Sequence, residues 1–98
     1  MSIDAGAATA LTLRGKSLLA SGVVDVRGEF TVGTPVELQT TAGEAIGVGL
    51  VNYSAADIRR IRGLKSLHIG QVLGQKPYDE VIHRDNLVIT SIDSETEK

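Results

Sequence analysis

The stretch that decides the fold is Glu80-Val81-Ile82-His83-Arg84-Asp85-Asn86-Leu87-Val88-Ile89, near the C-terminus. It places four polar residues between two apolar runs. In outline it resembles the His-Arg-Asp loop of protein kinases, which needs an Asn five residues after the Asp to hold a metal ion. Here Asn86 follows Asp85 directly, and the position five residues on is Thr90. The stretch therefore predicts a turn at Asp85-Asn86 between two short strands, because both side chains bond readily to nearby backbone.

Upstream of this stretch, short strand-like segments alternate with turn residues. Strands are predicted at 17–19, 23–27, 30–32, 36–39 and 45–51. Pro35 lacks a backbone donor and suits the entry of the fourth of these. Gly47 and Gly49 inside the last one predict a bulge, a sharp bend or another backbone passing close. Short strands with bending glycines indicate a small closed or nearly closed barrel.

Three short helices complete the pattern. Residues 5–14 are rich in alanine and leucine, with Asp4 as N-cap and Gly15 as the stop. A second helix begins after Ser54 and ends before Gly63, and it places Ile58 and Ile61 on one face and three arginines on the other. A third is predicted over 66–73, with Ser66 as its cap and with Leu67 among its inward-facing residues. The fold class is therefore mainly β with short helices (α+β).

The composition bounds the function. The chain has 98 residues, which is one domain, and 42% of them are apolar. Its net charge of −2 argues mildly against strong electrostatic capture of nucleic acid. It has no cysteine, so disulfide frameworks and thiolate metal sites are excluded. No secretory signal and no apolar run of about 18 residues occurs, so we expect a cytoplasmic protein without a membrane partner.

Partial motifs elsewhere do not hold. Arg14-Gly15-Lys16-Ser17 resembles the end of a phosphate-binding P-loop, but Ala10 stands where that motif needs glycine. The two histidines, His68 and His83, have no second ligand at metal-binding spacing. No nucleophile or carboxylate pair is placed for catalysis. If His83 and Asp85 lay along one strand they would share a face, but without a nucleophile. We therefore predict no catalytic and no metal-binding residue in this chain.

Several segments together resemble a known family. Residues 15–19, Gly22-Val23, 28–30 and Gly33 are similar to the opening of a PUA domain. Residues 49–54 and the stretch 80–88 are more specific and resemble the PUA domain of bacterial glutamate 5-kinases. The resemblance covers roughly residues 3–89. It implies a PUA-type pseudo-barrel of short mixed strands over residues 1–92, followed by a polar, disordered tail at 93–98.

The resemblance also implies a larger parent enzyme. Glutamate 5-kinases use ATP and Mg to phosphorylate the γ-carboxylate of glutamate, the first step of proline biosynthesis. Their catalytic residues lie in an amino acid kinase domain, and no part of that domain is present here. We therefore expect a fragment of a homo-oligomeric kinase, with the kinase domain as partner, a regulatory or assembly role, and no cofactor of its own. A free-standing relative is the alternative.

PUA domains often bind structured RNA, so the resemblance implies a second role. The RNA-binding face of the family is similar to the region around the first helix, the loop after it and the last strand. In this sequence that region holds Arg14, Lys16, Ser17, Gly22 and Arg84. Lys16 and Arg14 suit phosphate contacts, and Gly22 would let a backbone approach closely. Aromatic stacking partners are scarce, since the chain has one Phe and two Tyr.

Overall fold

A computed structural model describes residues 1–90 of the chain. The predicted tail at 93–98 and the end of the predicted domain lie outside the described residues. Within residues 1–90 the elements are β1 (Ser2–Ile3), α1 (Ala5–Arg14), β2 (Leu18–Leu19), β3 (Val23–Asp25), β4 (Pro35–Thr40), β5 (Ala45–Leu50), α2 (Ala55–Ile61), α3 (Ile69–Leu73), β6 (Glu80–Ile82) and β7 (Leu87–Ile89). Short 3₁₀ turns at Ala20–Gly22, Ser66–His68 and Arg84–Asn86 join neighbouring elements.

The strands form two small sheets. The larger has the order β3-β1-β4-β5-β7 and the smaller pairs β2 with β6. The larger sheet is mixed. Strand β1 runs parallel to β4, whereas the pairs β1–β3, β4–β5 and β5–β7 are antiparallel. Register shifts interrupt several pairings, which is how short strands bend into a barrel-like shape. The predicted fold class, mainly β with short helices in a pseudo-barrel of mixed strands, is confirmed.

Helix α1 begins and ends where local signals place it. The Asp4 carboxylate accepts a hydrogen bond from the Ala7 N–H at 2.7 Å, which satisfies one free donor of the first turn. Gly15 ends the helix with φ of 63°, a left-handed conformation that favours glycine. Leu11 is buried and fixes the inner face of the helix. The predicted bounds of 5–14 are confirmed.

The glycines of β5 are required by close neighbours. A Cβ on Gly47 would lie 2.2 Å from the carbonyl oxygen of Val88, and one on Gly49 would lie 2.6 Å from Cγ2 of Ile82. The predicted close backbone is therefore found at Gly47, whereas the nearest neighbour of Gly49 is a side chain. A register shift of the kind a bulge produces also lies beside Gly47, because Leu38 pairs with Gly47 and Gln39 with Ala45. The strands predicted around Asp85-Asn86 are also present, as β6 and β7.

Some local predictions are wrong. Residues 30–32 form a loop and not a strand, because no neighbouring strand pairs with them among the described residues. Leu67 is 69% exposed, and the chain turns as a 3₁₀ segment there before α3 begins. Ser66 does not cap the helix; its hydroxyl donates to the carbonyl of Asp79 at 3.3 Å. His83 and Asp85 do not lie along a strand, since Asp85 is inside the 3₁₀ turn Arg84–Asn86 and His83 immediately precedes it.

The core draws on both sheets and all three helices. Its fully buried side chains include Ile3, Leu11, Leu18, Leu38, Ile58, Ile61, Ile69 and Ile82. No polar or charged residue is buried within residues 1–90. All chemistry available to the described part of the chain therefore lies on its surface.

Candidate nucleic-acid interface

The loop after α1 and the turn before β7 lie side by side. Strand β2 pairs with β6, with Leu18 opposite Ile82, and this pairing brings the two segments together. The Ser17 hydroxyl accepts a hydrogen bond from the backbone N–H of Arg84 at 2.9 Å, across 67 positions of sequence. Ser17 therefore has a structural role, because it holds the turn that carries Arg84 against the loop that carries Lys16.

A shallow groove of about 600 Å³ runs between these segments. It is lined by Lys16, Ser17, Leu19, Glu80, His83, Arg84 and Asp85. Three of the five residues predicted to bind RNA line this groove. Leu19 alternates with buried Leu18 along β2 and is 43% exposed, so it offers an apolar surface between the polar groups.

A second groove of about 310 Å³ adjoins the first and shares Lys16, Ser17 and Leu19 with it. Its other walls are the start of α1 and the 3₁₀ turn after β2. They are formed by Asp4, Gly6, Ala7, Ala10, Ser21 and Gly22. Most of these side chains are small, so this part of the surface is mostly apolar, and its charged members are Asp4 and Lys16. The two grooves together make one continuous surface, which we call the Lys16 groove.

Gly22 lines the Lys16 groove, but its lack of a side chain has an internal cause. The residue is buried, and a Cβ placed on it would lie 2.5 Å from the Cβ of Ala7. Its carbonyl accepts a hydrogen bond from the Asp4 N–H at 2.9 Å, next to the start of α1. Glycine at this position therefore allows α1 to pack tightly on the turn, whether or not a ligand approaches.

Arg14 stands apart from the other predicted residues. It is the last residue of α1 and is exposed, and it does not line either part of the Lys16 groove. Cations in the last turn of a helix interact favourably with its partial negative charge. This interaction with the helix dipole is by itself a sufficient reason for an arginine at this position.

The charges of the Lys16 groove are mixed. Lys16 and Arg84 are accompanied by the carboxylates of Glu80 and Asp85. The Nδ1 atom of His83 accepts a hydrogen bond from the Asp85 N–H at 3.0 Å, which leaves Nε2 of a neutral ring as a donor. The groove thus offers cations, a ring donor and carboxylate acceptors together, a pattern suited to polar ligands as well as to phosphate.

The three arginines of the α2 region are used within the fold. Arg59 bonds to the Glu29 carboxylate at 3.0 Å and to a neighbouring backbone carbonyl. Arg60 donates to the carbonyl of Val72 at 2.6 Å, and Arg62 donates to that of Val24 at 2.7 Å. Their periodicity predicts only that they lie on the face opposite Ile58 and Ile61. The structure shows that each one ties a different segment to the helix.

Besides Asp4, Gly6, Ala7, Ala10 and Ser21 in the smaller part of the Lys16 groove, sequence reasoning missed four lining residues in the larger part, namely Leu19, Glu80, His83 and Asp85. The alternation of Leu18 and Leu19 was the one local signal that pointed to an outward side chain. The three others join Lys16 only through the long-range pairing of β2 with β6, which no local pattern reveals.

Neither the P-loop arrangement considered from the sequence nor a cluster of metal ligands is found within residues 1–90. Within residues 1–90 no group of three or more His, Asp or Glu side chains is placed to hold a metal. The segment 14–17 follows the C-terminus of α1, whereas a P-loop precedes a helix N-terminus. No helix of residues 1–90 is long and apolar enough to cross a membrane.

Comparison with known proteins identifies the class. The PUA domain family matches residues 1–73. A solved PUA domain from Aeropyrum pernix superposes with a TM-score of 0.66 at 21% identity, covering 99% of this chain and 47% of that one. A PUA domain protein from Thermoplasma acidophilum gives a TM-score of 0.54 at 26% identity, covering 59% of this chain and 38% of that one. The chain belongs to the PUA domain family.

Comparison with curated relatives shows which enzymes have segments similar in sequence to this chain. The chain is 60% identical over 89 residues to a glutamate 5-kinase of Syntrophus aciditrophicus, covering 91% of this chain and 23% of the relative. It is 53% identical over 89 residues to a glutamate 5-kinase of a Picosynechococcus strain, covering 91% and 24%. The predicted resemblance to the PUA segment of these enzymes is confirmed. The chain spans about a quarter of the length of the curated relatives it matches.

Proposed function

We propose that this chain is a non-catalytic accessory domain of a glutamate 5-kinase and that it tunes the activity or assembly of the enzyme. The observation that carries the proposal is 60% identity over 89 residues to a segment that makes up only 23% of a glutamate 5-kinase. Identity this high across nearly the whole chain argues for the same role in the same kind of enzyme.

The surface chemistry of the described residues is consistent with an accessory role. A phosphotransferase needs a cradle for ATP phosphates and a site for Mg²⁺. We assign both to an amino acid kinase domain of a cytoplasmic, homo-oligomeric parent, because this chain matches only 23% of the length of the Syntrophus aciditrophicus glutamate 5-kinase. That domain would supply the transfer to the γ-carboxylate of glutamate, and this chain would act through contact with it.

The test compares three forms of the Syntrophus aciditrophicus enzyme. These are the intact kinase, the kinase without its PUA segment, and a chimera that carries the present chain in place of that segment. Glutamate phosphorylation with ATP, inhibition by proline and oligomeric state are measured for each. We expect the truncated form to differ in at least one property and the chimera to restore it. Three indistinguishable forms would refute the accessory role.

A second candidate function is binding of structured RNA. The specific observation in its favour is the Lys16 groove, which brings together Lys16, Ser17, Gly22 and Arg84, four of the five residues expected on the RNA-binding face. Lys16 and Arg84 would contact phosphates, and the apolar part along α1 would receive a base or sugar.

Titration of the chain with a structured RNA at two salt concentrations tests this candidate. If Lys16, Arg84 and Arg14 each neutralise one phosphate, affinity should fall roughly 20- to 40-fold between 50 and 200 mM salt. Lys16→Ala should weaken binding and flatten the salt dependence. Lys65→Ala is the matched control, because Lys65 is exposed and lies outside the groove. The absence of binding at 50 mM salt would exclude this function.

A further inference from the structure

The outer face of the larger sheet carries an apolar patch. Val48 on β5 lies opposite Val88 on β7, and Leu50 lies opposite Pro35 on β4. Val48, Leu50 and Val88 are 37%, 41% and 66% exposed, and Pro35 is exposed as well. Directly opposed residues and residues two apart in a strand share one face of a sheet. These four side chains are therefore neighbours, and we call them the outer-face patch.

The outer-face patch departs from the usual pattern of an antiparallel sheet. One face of such a sheet normally packs on the core while the other is polar. The core face here is regular, since Val36, Leu38 and Ile46 are buried. On the outer face, Glu37 is paired across from Val48, and Gln39 and Ser2 lie further along β4 and β1, so the four apolar side chains form a patch bordered by polar residues. The exposed surface of Val48 and Val88 stays in contact with water and so contributes no hydrophobic stabilisation. A partner that covers the two valines would explain why apolar residues stand at these positions.

Strand β7 strengthens the case for an interface. It is the edge strand of the larger sheet within residues 1–90, and it has only three residues, Leu87–Ile89. Val88, the most exposed member of the outer-face patch, therefore lies on a strand that has no further strand beyond it among residues 1–90. Edges are usually blunted by charges or proline. None of the residues of β7 is of that kind.

The size of the outer-face patch selects its occupant. Four residues fall well below the roughly 20–30 residues a side of a standard interface between separate proteins. A domain tethered in the same chain needs less area, because the tether sets an effective concentration in the millimolar range. The curated relatives extend well beyond the matched segment, since it makes up only 23% of the first of them. A tethered domain therefore fits this patch better than a second copy.

We propose that the outer-face patch is the surface on which the amino acid kinase domain of the same polypeptide docks. This inference rests on the proposed function, because it requires that the chain be part of a glutamate 5-kinase. It leaves the Lys16 groove free, since Lys16 and Arg84 belong to the smaller sheet and its adjoining loops. Docking and ligand binding would then use separate surfaces of one domain.

Thiol labelling tests the proposal, because the chain has no cysteine of its own. Single variants Val88→Cys and Val32→Cys are made in the isolated chain and in the chimera with the Syntrophus aciditrophicus kinase. Val32 is the matched control, since it is a valine of similar exposure, 61%, outside the patch. Alkylation is followed at the peptide level by mass spectrometry. We expect position 88 to react at least tenfold more slowly in the chimera than in the isolated chain, and position 32 to react equally in both.

Three results would overturn the proposal. Equal alkylation of position 88 in both settings would show that the kinase domain leaves the patch open. Slowing that grows with the concentration of the isolated chain would assign the patch to a second copy. Faster alkylation in the isolated chain after removal of residues 91–98 would assign it to that segment, which contains a single large apolar residue, Ile92.

A second variant separates this proposal from the accessory role. Val48→Thr with Val88→Thr keeps the shape and strand preference of both residues but places two hydroxyl groups in the patch. In the chimera that also carries Leu50→Cys, we expect alkylation at position 50 to become at least tenfold faster, while Val24→Thr with Val32→Thr leaves it unchanged. If the chimera differs from the truncated kinase but the patch substitutions have no effect, only the docking surface is wrong. If chimera and truncated kinase are alike, the accessory role itself fails.

Discussion

Replacement of Gly22 by alanine should destabilise the domain, and a second substitution should repair it. The new Cβ would lie 2.5 Å from the Cβ of Ala7, whereas carbon atoms in contact prefer about 3.5–4.0 Å. Helix α1 and the turn Ala20–Gly22 would have to separate by roughly 1 Å, which also strains the bond from the Asp4 N–H to the Gly22 carbonyl. Overpacking of this kind costs about 1–3 kcal/mol. We expect a value near the upper end, because both partners are backbone-fixed.

The compensating variant is Ala7→Gly. Alone it should cost about 1 kcal/mol, because glycine is a poor helix residue. Combined with Gly22→Ala it removes the clashing methyl group, so the double variant should lie within about 1 kcal/mol of the parent chain. The two substitutions should therefore couple by about 2 kcal/mol in the favourable direction.

The free energy of unfolding of all four forms is measured by urea titration, and their Tm by heating, both followed by far-ultraviolet circular dichroism. For a domain of 98 residues, a loss of 2–3 kcal/mol should lower the Tm of Gly22→Ala by roughly 10–20 °C. Additive effects of the two substitutions would refute the packing explanation. A Gly22→Ala variant as stable as the parent chain would also refute it. In that case, any loss of RNA binding by the variant would indicate that Gly22 contacts the ligand.

Three further predictions concern single positions. Gly47→Ala should cost about 3 kcal/mol or more in urea unfolding, because its Cβ would lie 2.2 Å from the carbonyl oxygen of Val88, a backbone atom that cannot rotate away. Tyr53→Phe should cost about 1 kcal/mol by the same measurement, because the hydroxyl donates to the Tyr78 carbonyl and accepts from the Tyr78 N–H at 3.2 Å. Asp4→Ala should cost about 1 kcal/mol and reduce helical dichroism, because it removes the cap of α1.

Tyr53 also gives the domain a stability limit at high pH. Burial raises the pKa of its phenol above the ordinary value, because the charged form is poorly solvated. The folded state then holds its proton more tightly than the unfolded chain, so stability is complete below about pH 10 and falls as pH rises through the folded pKa. Tyr53→Phe should lose this part of the alkaline decline. An unchanged pH profile in that variant would contradict the role of Tyr53 in the alkaline decline. Equal stability of Gly47→Ala and its parent would contradict the packing argument for Gly47.

Local chemistry was enough to predict much of the fold. Asp4 and Gly15 mark the ends of α1 because a cap and a left-handed glycine act within a few residues of sequence. The glycines of β5 predict a bulge, a bend or a close backbone without choosing among them, and only the structure shows the close neighbours of both. The loop at 30–32 was mistaken for a strand because its apolar pattern is strand-like, and only the absence of a pairing partner there in residues 1–90 excludes it.

The candidate site was harder to predict than the fold. Lys16 and Ser17 were found through family resemblance, but their neighbours Glu80 and His83 come from a strand and turn more than 60 positions away. Local periodicity carries no information on such pairings. Leu67 shows the same limit on a smaller scale, because a 3₁₀ turn rotated its side chain away from the helical face on which it was expected.

The hydrogen bond from the Arg84 N–H to Ser17 has a consequence for how the chain folds. It joins residues 67 positions apart, and the pairing of β2 with β6 closes a loop of similar length. Closing long loops is entropically costly and slow, so such contacts form late. During synthesis, Leu18 would stay without its strand partner until β6 has left the ribosome. The Lys16 groove would then form only after residues 80–85 are available, and ligand binding there would report that the chain has been made and paired at least as far as β6.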